Sequence, residues 1–275
     1  MKKGLSKEDK IEMLTRTTNL KGFVIRAKDG ELGTVDEFYF DDVSWAIRYL
    51  TVQTGGWLDQ RRVLISPFSV IHTDWAEKRL DVALTKKQVE NSPDIDTHKP
   101  VSRQHEAEYL GYYGYPVYWD GPNLWGPAFF PAGLAVPLTT SGEAAADRAR
   151  KESPDSHLRS TEAVSGYGIE AVDGEIGHVN GFILDDEAWA IRYVEVATRN
   201  WWPGKKVLIS PSWVKRVSWT DAKVYTGLTR DAIQSGPEYE GATPITREYE
   251  AILYSHYGWA PYWLHDSKRD HSVSD

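Results

Sequence analysis

The chain has 275 residues, of which 40 are acidic, 32 are basic and none is cysteine. A net charge of −8 argues against binding to nucleic-acid phosphates. The lack of cysteine excludes disulfides, zinc–thiolate sites and thiol nucleophiles, and it fits the reducing cytoplasm, where we expect this protein.

Residues 1–19 form a charged leader without the apolar segment of a secretory signal. Two interpretations remain open for it, a short helix through Met13 and a frayed terminus. Strands are then predicted over 22–28 and 32–40, joined at Asp29-Gly30 by a type I′ hairpin turn.

The next stretch is the first half of an internal repeat. WAIRYLTVQTGGWLDQRRVLISP, residues 45–67, returns as WAIRYVEVATRNWWPGKKVLISP, residues 189–211, at an offset of 144 (189 − 45 and 211 − 67). The offset still holds at Trp119 and Trp263 (263 − 119). We therefore expect two domains, at 20–119 and 162–265, with a linker at 120–161 and a disordered tail at 266–275.

Each copy contains about six short strands, a number typical of a small barrel or sandwich. The pairs Asp41-Asp42 and Asp185-Asp186 predict turns in which the carboxylates accept hydrogen bonds from nearby amides. A strand is expected to resume at Phe68 after the Ser-Pro stop.

Two short helices and an aromatic tail follow the strands of each copy. Thr85 and Thr229 are predicted to cap the first helix, and the second is expected over 102–112 and 246–256. In the linker we expect order up to Leu138 and mobility over 139–160. Its longest weakly polar run, 124–138, is too short to cross a bilayer, so no membrane span is predicted.

The motif DGELGTV, followed by WAIRYLTVQTGGWL and RRVLISP, resembles the PRC-barrel superfamily, named for the cytoplasmic domain of the photosynthetic reaction-centre H subunit. The resemblance covers 20–119 and 164–263. It implies a mainly β protein with two PRC-type β-barrels of about six strands each, each followed by short helices and an aromatic tail. It also implies a soluble, tandem bacterial adaptor rather than a catalyst. The charged leader argues against a photosynthetic role, because the H subunit has a membrane helix there.

No residue pattern indicates an enzyme, a cofactor or a metal site. The eight histidines lack the spacing of metal ligands, and Ser66 and Ser210 lack the surroundings of a nucleophile. Trp45, Tyr49 and their copies Trp189 and Tyr193 are expected in the cores. Arg48 and Arg192 lie within apolar strands, so we expect each to pair with the aspartates of the preceding turn.

The loop in which the copies diverge and the aromatic tails form the candidate interaction surface. Two interpretations remain open, because these aromatic side chains can anchor a partner or fold back on their own module. The residues are Trp57, Arg199, Asn200, Trp201, Trp202, Tyr118, Trp119, Tyr262 and Trp263.

We hypothesise a non-catalytic binding or adaptor protein whose two modules form an intrachain pseudo-dimer. Its partner would be an unidentified protein, and further homo-oligomerisation is allowed. The alternative is a sensor of a small molecule or lipid headgroup that uses the barrel-mouth loops.

Overall fold

A computed structural model describes residues 14–93, 103–119, 121–131, 157–198, 205–241 and 244–264. The chain divides into two compact units. The first unit contains Met1–Val164 and Leu184–Ile191, and the second contains Ser165–Ile183 and Arg192–Asp275. A short piece of the second repeat, residues 184–191, therefore belongs to the first unit.

The elements of the two repeats correspond one to one. Those of the first repeat are β1 (Leu14–Arg16), α1 (Thr17–Leu20), β2 (Val24–Ala27), β3 (Gly30–Asp41), β4 (Ile47–Thr54), β5 (Arg62–Ile65), β6 (Val70–Asp74), β7 (Arg79–Val82), α2 (Lys86–Glu90) and α3 (Arg103–Tyr113). Those of the second are β8 (Leu158–Ser160), α4 (Thr161–Val164), β9 (Gly168–Ala171), β10 (Gly174–Asp185), β11 (Ala190–Ala197), β12 (Lys206–Ile209), β13 (Val214–Ser218), β14 (Lys223–Thr226), α5 (Arg230–Gln234) and α6 (Arg247–Tyr257).

Each repeat builds one sheet from six of its strands. The order is β5-β4-β3-β2-β7-β6 in the first repeat and β12-β11-β10-β9-β14-β13 in the second. β2 runs parallel to β7, and β9 runs parallel to β14. The mainly β fold and the six strands of each repeat are confirmed, but hydrogen bonds between the described strands do not close either sheet into a barrel.

The repeat extends further upstream than the sequence predicted. β1 and α1 match β8 and α4 in length and lie at the same offset of 144 (158 − 14). Over these seven residues the copies share only a leucine and a threonine, Leu14 with Leu158 and Thr17 with Thr161. β8 pairs with the end of β3, so residues 158–160, which we expected to be mobile linker, are an ordered edge strand.

The first hairpin forms as predicted, although its turn is of a different type. Ala27 pairs with Gly30, so Lys28 and Asp29 are the central turn residues. Neither has a positive φ, as a type I′ turn would require; only Gly30 does, at 134°. Asp29 Oδ1 accepts a hydrogen bond from the Lys86 amide at 2.8 Å, which ties the hairpin to α2.

The aspartate turns and the helix caps are confirmed. Asp41 Oδ1 accepts from the amides of Val43 and Ser44 at 2.9 and 3.0 Å, and Asp185 makes the same turn in the second copy. Thr85 forms a capping box with Gln88 at the start of α2. Thr229 caps α5 through its side-chain oxygen, which accepts from the Ala232 amide, without the reciprocal half of a capping box.

The Ser-Pro sequence changes the backbone more than predicted. Pro67–Ser69 form a 3-10 turn, and the strand resumes at Val70 rather than at Phe68. The Ser66 hydroxyl accepts from the Phe68 amide, and proline fits the first position of the turn because it needs no amide donor there.

Within the first unit, equivalent residues of the two repeats meet as an antiparallel bridge. Ala46 pairs with Ala190. The Ile47 amide donates to the carbonyl of Trp189 at 2.7 Å, and the Ile191 amide donates to the carbonyl of Trp45 at 2.8 Å. The two bonds are related by the repeat offset of 144 (191 − 47 and 189 − 45), so the contact is reciprocal.

Both tryptophans at this bridge are buried, with exposed fractions of 6% for Trp45 and 3% for Trp189. Both adopt left-handed backbone conformations, with φ of 59° and 51°, which are uncommon for a bulky residue. Tyr49 and Tyr193 are also buried, as predicted. Among the described residues, no helix is long and apolar enough to cross a membrane.

Candidate functional site

A buried glutamate on α3 is the centre of a polar cluster in the first unit. Glu106 is 1% exposed. Its Oε1 accepts hydrogen bonds from the hydroxyls of Tyr118 and Tyr49, the latter at 3.4 Å, and its Oε2 lies 3.4 Å from Arg103 Nη1. Buried carboxylates need such partners, because an unpaired one is strongly disfavoured. We call Arg48, Tyr49, Arg103, Glu106 and Tyr118 the first glutamate cluster.

Arg48 completes this cluster from β4. The arginine is 2% exposed, and its guanidinium carbon lies 3.7 Å from the centre of the Tyr118 ring. Nη1 donates to the Leu124 carbonyl at 2.8 Å and Nη2 to Ser44 Oγ at 2.9 Å. The predicted pairing with Asp41 is present at 3.9 Å. Three kinds of acceptor thus compensate for the burial of this charge.

Burial dominates the titration of the first glutamate cluster. It raises the pKa of Glu106 to about 7, against the lowering effects of the Arg103 charge and the Tyr118 hydroxyl. Burial also raises the pKa of Tyr49 and Tyr118 well above the ordinary tyrosine value. Both tyrosines are therefore neutral hydrogen-bond donors at physiological pH.

The second unit contains the same constellation at the repeat offset. Glu250 is 1% exposed and accepts from the hydroxyls of Tyr193 and Tyr262 at 2.6 and 3.1 Å. Arg247 Nη1 lies 2.9 Å from Glu250 Oε2, and Arg192 stacks on the Tyr262 ring at 4.2 Å. We call these five residues the second glutamate cluster. The duplication has kept the complete cluster in both copies.

A tight turn covers the first glutamate cluster. In the first unit a turn over residues 123–126 packs on the cluster, and its Trp125 is fully buried. The Trp125 indole donates to the Ala188 carbonyl at 2.8 Å, and its ring lies 4.9 Å from Phe68 and 4.8 Å from the guanidinium of Arg48. At the repeat offset from Leu124 and Trp125 the sequence has Lys268 and Arg269, which fall outside the described residues.

Side-chain exposure differs between the two glutamate clusters. The side chain of Arg103, which pairs with Glu106, is 14% exposed. The side chain of Arg247, which pairs with Glu250, is 41% exposed. Tyr118 is buried, whereas Tyr262 is half-buried. The second glutamate cluster therefore lies at the surface of its unit, with aromatic and cationic groups in reach of solvent.

Three apolar residues of the second unit are exposed. Ile252 on α6 is 60% exposed, Trp259 after the helix is 53% exposed, and Leu264 is 50% exposed. At the equivalent positions the first copy has Glu108, Tyr115 and Asp120. Tyr115 is half-buried and lies 5.2 Å from Phe68. The second copy thus exposes larger apolar groups at these positions.

Several residues of the predicted interaction surface are buried or fold back on their own module. Trp57 folds back on its own module, because its indole donates to the Leu32 carbonyl at 2.7 Å and its ring lies 5.3 Å from Lys86 Nζ. Tyr118 is buried at 4% exposure and belongs to the first glutamate cluster. The centre of the Trp119 ring lies 4.6 Å from the guanidinium carbon of Arg103.

Tyr262 and Trp263 lie at the second glutamate cluster, where Arg247 is 4.6 Å from the Trp263 ring. Four members of the predicted surface fall outside the described residues: Arg199, Asn200, Trp201 and Trp202.

Sequence analysis did not single out Glu106 or Glu250. A signal was present, since Arg103-x-x-Glu106 recurs as Arg247-x-x-Glu250 at the repeat offset of 144 (247 − 103). A carboxylate in the first turn of a helix is ordinarily interpreted as a favourable exposed charge at the helix N-terminus, so its burial was not expected.

In the described part of the chain, no three side chains of His, Asp or Glu are grouped so that they could hold a metal ion. The sequence matches no protein-family model and no curated protein, so the geometry of the two glutamate clusters is the basis for assigning a function.

Proposed function

We propose that this protein is a non-catalytic binding or adaptor protein, in which two PRC-type modules associate within one chain as a pseudo-dimer. The observation that carries the proposal is the reciprocal bridge at Ala46 and Ala190. In a symmetric dimer each contact between two residues is repeated with the partners exchanged. The bonds from Ile47 to Trp189 and from Ile191 to Trp45 have that property.

The ordered chain around the bridge supports the same proposal. β8 immediately precedes the second module in sequence, yet it pairs with β3 of the first. Arg159 on β8 lies 2.7 Å from Asp42, and the Ser160 hydroxyl donates to the buried carboxylate of Glu37. An exchanged edge strand of this kind holds fused modules together as it would hold two separate subunits.

The glutamate clusters support a scaffolding rather than a catalytic role. Glu106 and Glu250 are both 1% exposed, and each accepts hydrogen bonds from side chains of its own repeat. Each cluster joins the third helix (α3 or α6) and the aromatic tail to the fourth strand (β4 or β11) of its repeat. A carboxylate enclosed in this way fixes the tail in place.

The position of the exposed apolar side chains supports a protein partner. Ile252, Trp259 and Leu264 are each at least half exposed, within 13 residues of one another in sequence (264 − 252 + 1). Exposed aromatic and aliphatic groups beside cationic ones are typical of protein-binding surfaces. The first repeat has a polar or half-buried residue at the first two of these positions.

The full chain, immobilised and exposed to lysate of the source cells, provides the test. We expect one or a few proteins to be retained by the natural chain and lost with the double variant Ile252→Glu, Trp259→Ala. A retained protein, once purified, should rebind with a fixed stoichiometry in isothermal titration calorimetry. The matched control is Glu108→Gln, which alters an exposed residue of α3 in the first repeat.

Two outcomes would contradict the proposed function. One is that no protein is retained by the natural chain above the level of the double variant. The other is that native mass spectrometry of the purified protein finds a tightly held small molecule or lipid, which would favour the sensor.

A further inference from the structure

We propose that Arg159 and Ser160 are the residues by which the first unit selects β8, the strand of the second repeat, over β1, the equivalent strand of the first repeat. The inference rests on the proposed pseudo-dimer and deepens it, because it names the side chains that decide which repeat supplies the strand. We call residues 37–42, the end of β3 and the residue after it, the strand-docking site.

β8 lies antiparallel to the strand-docking site. Ser160 stands opposite Tyr39, and Arg159 stands opposite Phe40. Because side chains alternate between the two faces of a sheet, Arg159 and Ser160 point to opposite faces. The backbone bonds of an added strand form with almost any sequence, so the side chains have to supply the selection.

Arg159 is matched on one face by a largely buried aspartate. Its Nε lies 2.7 Å from Asp42 Oδ2, and the two side chains are 13% and 12% exposed. His157 Nδ1 lies 3.7 Å from the other oxygen of the same carboxylate. Breaking an ion pair at this depth leaves a charge without its partner and away from water. The first repeat has Thr15 at the position of Arg159 (159 − 144), which carries no charge for Asp42.

Ser160 is matched on the other face by a buried glutamate. Its hydroxyl donates to Glu37, which is 6% exposed, and accepts from the amides of Glu162 and Ala163 at 3.1 Å. The hydroxyl thus uses its donor and both of its acceptor sites. The first repeat has Arg16 at this position (160 − 144), and Arg16 makes no side-chain cap at α1. Ser160 is itself buried, so a long charged side chain has little room there.

The order of the two side chains distinguishes the strands. The sequence is LTRT from Leu14 in β1 and LRST from Leu158 in β8. The arginine is shifted by one residue between them, which places it on the opposite face of any sheet that the strand joins. In the place of β8, β1 would bring a threonine to Asp42 and an arginine to the buried position beside Glu37.

The second repeat does not offer the same two acceptors at these positions. Gly181 stands in the place of Glu37 (181 − 37 = 144). Asp186 is the equivalent of Asp42, and it accepts from the Trp75 indole at 3.1 Å. Of the two repeats, the first is therefore the one whose carboxylates fit an arginine followed by a serine.

Hydrogen exchange of the full chain, followed by mass spectrometry of fragments that contain residues 157–164, measures how firmly β8 is docked. The double variant Arg159→Thr, Ser160→Arg gives β8 the residue pair of β1. We expect its fragments to exchange at least about ten-fold faster than those of the natural chain. The matched control is Glu162→Gln on α4, whose side chain is 64% exposed, and it should leave the exchange unchanged.

A double-mutant cycle distinguishes selection by charge from packing alone. Arg159→Met keeps most of the side-chain volume and should speed exchange by about ten-fold, whereas Arg159→Lys keeps the charge and should speed it less. In the background of Asp42→Asn, Arg159→Met should have little further effect, because the charge that it would leave unpaired is already gone. Arg159→Met and this cycle decide the question if the double variant does not fold.

Three results would overturn the inference. They are unchanged exchange in the folded double variant, equal exchange in Arg159→Met and Arg159→Lys, and an effect of Arg159→Met that is the same with and without Asp42→Asn. The lysate experiment tests the proposed function separately. If it retains a partner while the exchange of β8 does not depend on Arg159, the binding function stands and only the selection of the strand is wrong.

Discussion

The amide of Ile47 donates to the carbonyl of Trp189 at 2.7 Å, and the same bond recurs in reverse from Ile191 to Trp45 at 2.8 Å. Every residue of this contact has its repeat equivalent on the other side of it. Any substitution in one copy can therefore be repeated at the equivalent residue of the other copy, and each serves as a control for the other.

Replacing Ile191 by proline removes one donor of the reciprocal bridge and adds a ring to a buried strand. We expect the free energy of unfolding to fall by about 1–3 kcal/mol, measured by urea denaturation. Ile47→Pro should have a similar effect, because it removes the equivalent bond. Ile191→Val keeps the amide and should cost only about 1 kcal/mol. If proline is as well tolerated as valine, the bridge does not stabilise the fold.

The stability of this protein should fall as the pH rises from about 4.5 to about 7. Burial raises the pKa of Glu106 from 4.5 to about 7 on folding. Below this window the carboxyl is protonated in both states. Within it the unfolded chain ionises while the folded protein holds the proton, so the folded state loses roughly 3 kcal/mol in relative stability across the window.

Other buried carboxylates add to the same trend, since burial also raises the pKa of Asp186 to about 6 and raises that of Glu37. Glu106→Gln removes this titrating group. When urea denaturation is repeated across this pH range, the free energy of unfolding of the variant should fall with pH much less steeply than that of the natural chain. Glu108→Gln, an exposed position on the same helix, should keep the slope of the natural chain. Equal slopes in all three proteins would contradict the assignment to Glu106.

Removing one tyrosine hydroxyl from each cluster compares a more buried cluster with a more exposed one. The Tyr118 hydroxyl donates to Glu106 and lies 2.6 Å from Arg103 Nη1, so Tyr118→Phe leaves the buried Glu106 and the partly buried Arg103 each short of a partner. We expect it to cost about 1–3 kcal/mol in calorimetric unfolding.

Tyr262→Phe should cost less than Tyr118→Phe, because Tyr262 is half-buried and water can replace its hydroxyl near Arg247. A larger cost for Tyr262→Phe would mean that the second glutamate cluster is as enclosed as the first.

The sequence allowed accurate prediction where local chemistry decides the structure. The aspartate turns, the Thr85 cap and the strands flanking Trp45 each depend on a few neighbouring residues, and each formed as expected. The Asp29-Gly30 turn type differs because Asp29 is held by the Lys86 amide, a contact between residues far apart in sequence. Local turn preference does not include such a contact.

The glutamate clusters were missed for a related reason. Glu106, Tyr118 and Tyr49 come from a helix, a tail and a strand, and only the packing of these elements brings them together. The edge strand at Leu158–Ser160 was also missed, because a three-residue strand has too little pattern to stand out from a polar linker. Its equivalence to Leu14–Arg16 becomes visible only when both strands are seen at the same offset.

Trp125→Ala tests whether the turn that covers the first glutamate cluster is an integral part of the first unit. The indole is fully buried and packs on Phe68 and Arg48, so its removal should lower the free energy of unfolding by about 3–5 kcal/mol. Phe130→Ala, five residues on and 49% exposed, is the control and should change stability by less than about 0.5 kcal/mol. If Trp125→Ala is as stable as Phe130→Ala, the turn is not an integral part of the first unit.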